Sequence, residues 1–231
     1  MSNCIYLHCI VEGATEKRFI DEVLAPYLAN KCIFVTSSEN ITSVSHGRIS
    51  GKGGDIRFSR LEHQITKFLK GRSDLYVATF SDYYGVHEWP GLDRIPDNAM
   101  PGEIAAILNQ AAIDKLVNDE PQLRCDSRYL PFTAVHEFEA LLFSNPDILE
   151  REIHAYPGSV KAILRECGSP EQINTGKETA PSKRIMSLAK IPYSKVTNGI
   201  EIAKMITVDT MRERCPLFDE WLKKIEPLAT K

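Results

Sequence analysis

Four short, mostly apolar runs separated by stretches of helical spacing constrain this chain more than any other feature. Cys4–Val11, Cys32–Thr36, Leu75–Phe80 and Tyr129–Val135 have the length and content of buried strands. Between them, apolar residues recur three and four apart: Phe19, Ile20, Val23, Leu24, Tyr27 and Leu28, then Phe58, Leu61, Ile65, Phe68 and Leu69, then Ile104, Ile107, Leu108, Ala111 and Leu116. Strand alternating with helix predicts an α/β fold, a mainly parallel sheet flanked by helices. Pro26 is expected to kink or shorten the first helix, and Gly71 to end the second. After residue 145 the pattern is helical, with turns and no strand. The expected division is a sheet-bearing domain over 1–145 and a helical extension packed on it over 146–231.

Open α/β sheets bind ligands at the carboxyl ends of their strands. Three of the runs deliver acid there. The first ends in Glu12, with Glu16 one turn later. The third ends at Asp82, and the fourth leads into Glu137 and Glu139. Carboxylates gathered on one rim form an oxygen-rich set suited to a hard cation, Mg²⁺ or Mn²⁺. Taken singly, each acid has a plainer explanation. A glutamate after a strand is often a solvated loop residue, and Glu16 in a first helical turn complements the helix dipole. Glu137 and Glu139 share a face if the chain is extended there, and do not if a helix begins at 137.

Charge is unevenly distributed within the net −3. Residues 1–150 carry 14 Lys and Arg against 21 Asp and Glu; residues 151–231 carry 14 against 10. An acidic half could hold metal and a mildly basic half could hold a phosphate backbone. The stretch 177–204 has six basic residues, among them Lys183, Arg184, Lys195 and Lys204, with Tyr193 between them. Lysine can grip phosphate and tyrosine can stack on a base, although a solvated helical surface looks the same in sequence. Gly51-Lys-Gly-Gly54 lacks the spacing of a phosphate-binding loop and is expected to be a flexible turn. His136 could orient a ligand, act as a base, or be structural.

The six cysteines are scattered without a C-x-x-C pair, which excludes a zinc knuckle or disulfide scaffold and fits a reducing compartment. Neither a signal peptide nor a membrane span is expected, so the expected location is cytoplasmic.

The motif Ile10-Val-Glu-Gly-Ala-Thr-Glu16 after a first strand, with a strand-ending Asp82, resembles the Toprim domains of topoisomerases, primases and overcoming-lysogenization-defect nucleases. Adding Asp82-Tyr-Tyr-Gly85, His136-Glu-Phe-Glu-Ala-Leu-Leu-Phe143, Ala180-Pro-Ser-Lys-Arg184 and Cys215-Pro-Leu-Phe218, the chain resembles a Toprim-like family of undefined function. That family includes the nuclease effector of the PARIS antiphage system, which works with an ABC-type ATPase. The resemblance implies metal-dependent chemistry at phosphodiester bonds of RNA, tRNA included, or DNA. Its motif glutamate falls on Glu12, as metal ligand or general acid/base. The first Asp of the usual Asp-x-Asp falls on Asp82, while Tyr84 stands at the second. A third carboxylate must then come from elsewhere, and Glu137 and Glu139 are the candidates. The expectation is an Mg²⁺- or Mn²⁺-dependent nuclease acting in bacterial antiphage defence with an ATPase partner. Catalysis would rest on Glu12, Asp82 and Glu137, and metal binding on these with Glu16 and Glu139. Lys183, Arg184, Tyr193, Lys195 and Lys204 would face nucleic acid. Self-association is left open. Two other readings stand beside it: a non-catalytic subunit docking on an ATPase, favoured by Tyr84, and a phosphatase or nucleotidyl transferase.

Overall fold

A computed structural model describes residues 4–41, 44–45, 48–49, 56–83, 86–173 and 178–230. The Gly51–Gly54 turn and Tyr84 therefore lie outside the described residues.

The main sheet has four strands, all parallel, in the order β2-β1-β6-β8. They are β1 (Ile5–Val11), β2 (Ile33–Asn40), β6 (Leu75–Asp82) and β8 (Tyr129–Ala134). Two short pairs complete the strands: β3 (Val44–Ser45) with β4 (Arg48–Ile49), and β5 (Ile56–Arg57) with β7 (Val86–His87). Each long strand coincides with one of the apolar runs. β2 runs four residues past the expected Thr36, as far as Asn40. A register shift sets Leu7 opposite Val35 but His8 opposite Ser37, so Thr36 is the extra residue.

Because successive side chains alternate between faces, the sheet feeds two cores. Leu7, Cys9, Val11, Ala78, Phe80, Leu130 and Phe132 point to one side. They meet α1 (Ala14–Phe19), α2 (Ala25–Ala29) and the later helices α6 (Pro146–Glu152), α7 (Ser159–Cys167), α8 (Pro181–Leu188), α9 (Ile200–Ile206), α10 (Val208–Arg214) and α11 (Pro216–Ile225). Ile10, Val77 and Tyr129 point to the other side, against α3 (Phe58–Gly71) and α4 (Pro101–Asp119). Every described element after 145 is helical, and these helices share the first core with the sheet. Phe132 stacks on Trp221 there, Phe218 packs against both rings at an angle, and the Trp221 indole donates to the Leu130 carbonyl at 3.0 Å.

Between α1 and α2 the turns widen into a π-helix, Ile20–Leu24. Pro26 lies just beyond, in the first turn of α2. A proline ring crowds the carbonyl four residues back, and the wider turn makes room for it. The expected kink therefore takes the form of a widened turn. Gly71 is the last residue of α3, so the helix ends where expected.

Arg128, at the end of α5 (Cys125–Arg128), ties the lower part of this frame. It is buried, and its guanidinium donates to the carbonyls of Leu69, Arg72, Leu75 and Leu123 at 2.5–3.3 Å. It thus fixes the end of α3 to the start of β6. Arg128→Met leaves those carbonyls without their charged donor. The urea midpoint should fall by the equivalent of about 3 kcal/mol with an unchanged m value.

Candidate carboxylate site

Parallel strands bring their carboxyl ends to one rim, and the adjacency of β1 and β6 makes their last residues neighbours. Val11 pairs with Phe80, and the Glu12 N–H donates to the Phe80 carbonyl at 3.2 Å. The next step along β6 places the Asp82 N–H 3.1 Å from Glu12 Oε2, to which it donates. The third strand end arrives from β8, where Ala134 pairs with Asp82. Three residues later comes Glu137, and directly after it the chain enters a 3₁₀-helix, Phe138–Ser144. Glu137 thus sits before the helix and Glu139 in its first turn, yet both reach Lys195. Its ammonium donates to Glu137 Oε1 at 2.9 Å and to Glu139 Oε2 at 3.4 Å. Glu137 Oε2 also accepts from the Ser182 backbone N–H at 2.9 Å.

Glu16 is buried on α1. It approaches the turn before it so closely that a Cβ added at Gly13 would lie 2.9 Å from Glu16 Oε2. Glycine at 13 therefore lets the acid fold back toward the rim.

The electrostatics join these segments into one group. Burial, and then the charges of Glu16, Glu12, Glu139 and Glu137, hold the Asp82 carboxyl well above its ordinary range. Glu12 is pushed up to about 7 by burial; the Asp82 N–H pulls the other way and the Glu16 charge adds to the rise. Burial likewise raises Glu16, and raises Glu139 to about 7 against the pull of Lys195. In Glu137 the bonds from Ser182 and Lys195 outweigh burial and lower the pKa. Two oxygens stay unsatisfied. Asp82 Oδ1 and Glu139 Oε1 are sealed from solvent and accept no hydrogen bond, although Lys195 Nζ lies 3.4 Å from the latter.

The donor set is all carboxylate oxygen, negative in excess, with two buried oxygens unmatched. That chemistry fits a hard divalent cation. Among the described residues no group of three His, Cys, Asp or Glu side chains is arranged to hold a metal ion as the side chains stand. Glu12 turns to the Asp82 N–H, while Glu137 and Glu139 turn to Lys195.

The basic stretch divides. Lys195 and Tyr193 join the acids, and Tyr193, raised by burial and by the charges of Glu139 and Glu137, has a sealed hydroxyl without a hydrogen bond. Arg184 pairs with Glu166 at 3.3 Å. Lys204 pairs with Glu22 and Glu201, at 2.7 and 2.8 Å. Lys183 is exposed on α8. The structure therefore does not gather these five into one basic surface. His136 is buried and held down to about 4 by that burial, so it is neutral at physiological pH. With Tyr83, Met100, Pro101, Ile104 and Val135 it lines a cleft of about 280 Å³ beside the rim. Sequence reasoning missed the Ser182 N–H and the Gly13 approach. The proline before Ser182 was the available sign of a helix start there, and hence of free N–H groups.

No helix among the described residues is long and apolar enough to cross a membrane. The model of one family, described as a domain of unknown function (DUF4276), matches residues 11–226. No curated protein and no solved structure matches the chain.

Proposed function

Starting from a chain that belongs to the DUF4276 family, we propose that it is a metal-dependent nuclease hydrolysing phosphodiester bonds of RNA or DNA at the carboxylate rim. The observation that carries this is Asp82: a sealed, unpaired carboxylate oxygen at a strand end, facing the charge of four glutamates. Evolved folds rarely leave such a group without purpose. The Toprim resemblance, with its motif glutamate on Glu12 and its first aspartate on Asp82, supports the same assignment.

Mg²⁺ or Mn²⁺ bound here would lower the pKa of a water and offset the charge of a phosphate. Glu12, Asp82 and Glu139 are the oxygen donors that would hold it, with Glu16 and Glu137 close enough in charge to contribute. Glu12, oriented by the Asp82 N–H at the rim, is placed to take a proton from an attacking water. The resemblance further supports a cytoplasmic effector of antiphage defence controlled by an ABC-type ATPase. A second reading, a non-catalytic subunit of such a complex, is favoured by the ammonium that already occupies Glu137 and Glu139.

The test incubates purified protein, alone and with an ATPase partner, with labelled tRNA and plasmid DNA in Mg²⁺ or Mn²⁺. Cleavage that stops in EDTA is expected. Cleavage that persists in EDTA refutes the metal mechanism, and none under any condition favours the second reading.

A further inference from the structure

Lys195 is the cation whose charge acts on Glu12, Glu16, Glu137 and Glu139, and its ammonium touches the last two directly. It enters from a segment far away in the chain. Ser194 caps the π-helix Lys195–Gly199, its hydroxyl accepting from the Thr197 N–H at 3.4 Å. That cap fixes the backbone from which the Lys195 side chain extends. The side chain is 40 % exposed, whereas that of Glu139 is 2 % exposed. The acid is fixed in the protein, and the ammonium reaches in from solvent.

An ordinary buried ion pair matches one charge with one and locks both partners. Here one partly exposed ammonium faces a surplus of carboxylates and leaves Asp82 Oδ1 and Glu139 Oε1 without a hydrogen bond. Lysine is a compact point charge on a flexible stem, able to leave for water without opening the core. A divalent cation at Glu139 and Glu137 would need the oxygens that Lys195 now faces, and at that range two cations repel strongly.

We propose that Lys195 is a built-in counter-cation that exchanges with the divalent metal: Glu137 and Glu139 hold either its ammonium or the metal, never both. The inference rests on the metal-site reading above and adds its regulation. Without metal, Lys195 bridges Glu137 and Glu139 and offsets the charge of the acids. Metal entry drives it out to solvent, where its charge becomes available to an anion.

The exchange is read by Mn²⁺ titration calorimetry at pH 7.5 on the intact chain, without substrate. Lys195→Gln removes the competing charge and should bind Mn²⁺ at least about tenfold more tightly than wild type. Lys195→Arg keeps a cation and should stay within about threefold of wild type. Circular dichroism confirms that each variant is folded; if Lys195→Gln is not, Lys195→Met takes its place, and the Mn²⁺-induced rise in melting temperature provides the second measure. Equal or weaker binding by the folded neutral variant overturns the exchange while leaving a metal site in place. Mn²⁺ binding by neither wild type nor variant, at millimolar metal, overturns the metal site and the exchange with it.

Discussion

On the proposed nuclease reading, Glu12→Gln and Asp82→Asn should each lower Mg²⁺-dependent cleavage of nucleic acid by about 10²–10⁴-fold, with the chain still folded. Glu12 loses the proton acceptor placed at the rim, and Asp82 loses the one strand-end carboxylate whose oxygen has no other partner. Both positions lie at the ends of strands and not in the packed cores, so neither change leaves an apolar cavity. The Asp82 N–H bond to Glu12 also survives in the asparagine variant, because the backbone makes it. Gel assays on labelled tRNA and plasmid, with melting curves on the same preparations, decide the matter. Full cleavage by either variant places the chemistry elsewhere in the molecule. Loss of cleavage accompanied by a large fall in melting temperature shows that the acids hold up the fold and says nothing for catalysis.

The second large effect is a pH dependence of stability without metal. Glu12 and Glu139 are raised to about 7, and Asp82 well above its ordinary range. A carboxyl raised in the fold binds its proton more tightly there than in the unfolded chain. Its contribution is fully present below the ordinary carboxylate pKa and is lost as pH rises through the folded value. Going from pH 8.5 to 6.5 in EDTA should therefore raise the melting temperature, by about 5 °C or more for a domain of this size. Below about 6.5 the rise continues more gently, because burial keeps His136 and His8 neutral in the fold while they charge in the unfolded chain, which offsets part of the carboxyls' gain. Saturating Mn²⁺ should flatten most of the upper slope, and Asp82→Asn should flatten part of it while raising stability at pH 8. A residual slope persists from Glu171, also raised to about 7 by burial, whose carboxylate accepts the N–H groups of Leu217 and Phe218. A melting temperature highest at pH 8.5 without metal would show that the acids are not crowded as described.

The strands and the helical later third were readable because burial on both faces writes an unbroken apolar run, and helical burial writes a 3.6 period. β2 was read short because its last residues, Ser37 to Asn40, reach the polar rim at the edge of the sheet, where nothing requires apolar side chains. Glu12 and Asp82 were legible for a geometric reason: in a parallel sheet the residue ending a buried strand is at the ligand-binding rim. Lys195 was legible only as a member of a basic stretch. What sets it apart is proximity to Glu137 and Glu139, 58 and 56 residues earlier, and that comes from tertiary packing with no local pattern behind it. Arg184 and Lys204 looked the same in sequence and are taken up by ion pairs of their own.

The parts of the rim are spread along the chain: Glu12 and Glu16 early, Asp82 next, Glu137 and Glu139 later, and Ser182 and Lys195 near the end. During synthesis on the ribosome the first segments emerge well before the last, at a rate of about 5–20 residues per second. A nascent chain that already displays Glu12 and Asp82 still lacks the helix that carries Glu139, the Ser182 N–H that anchors Glu137, and the core contacts from α9 to α11 that close the first face of the sheet. An incomplete polypeptide thus cannot complete the acid cluster. If the rim is the nuclease site proposed above, a cell would be spared its chemistry until translation is almost finished, and products of premature termination would be inert.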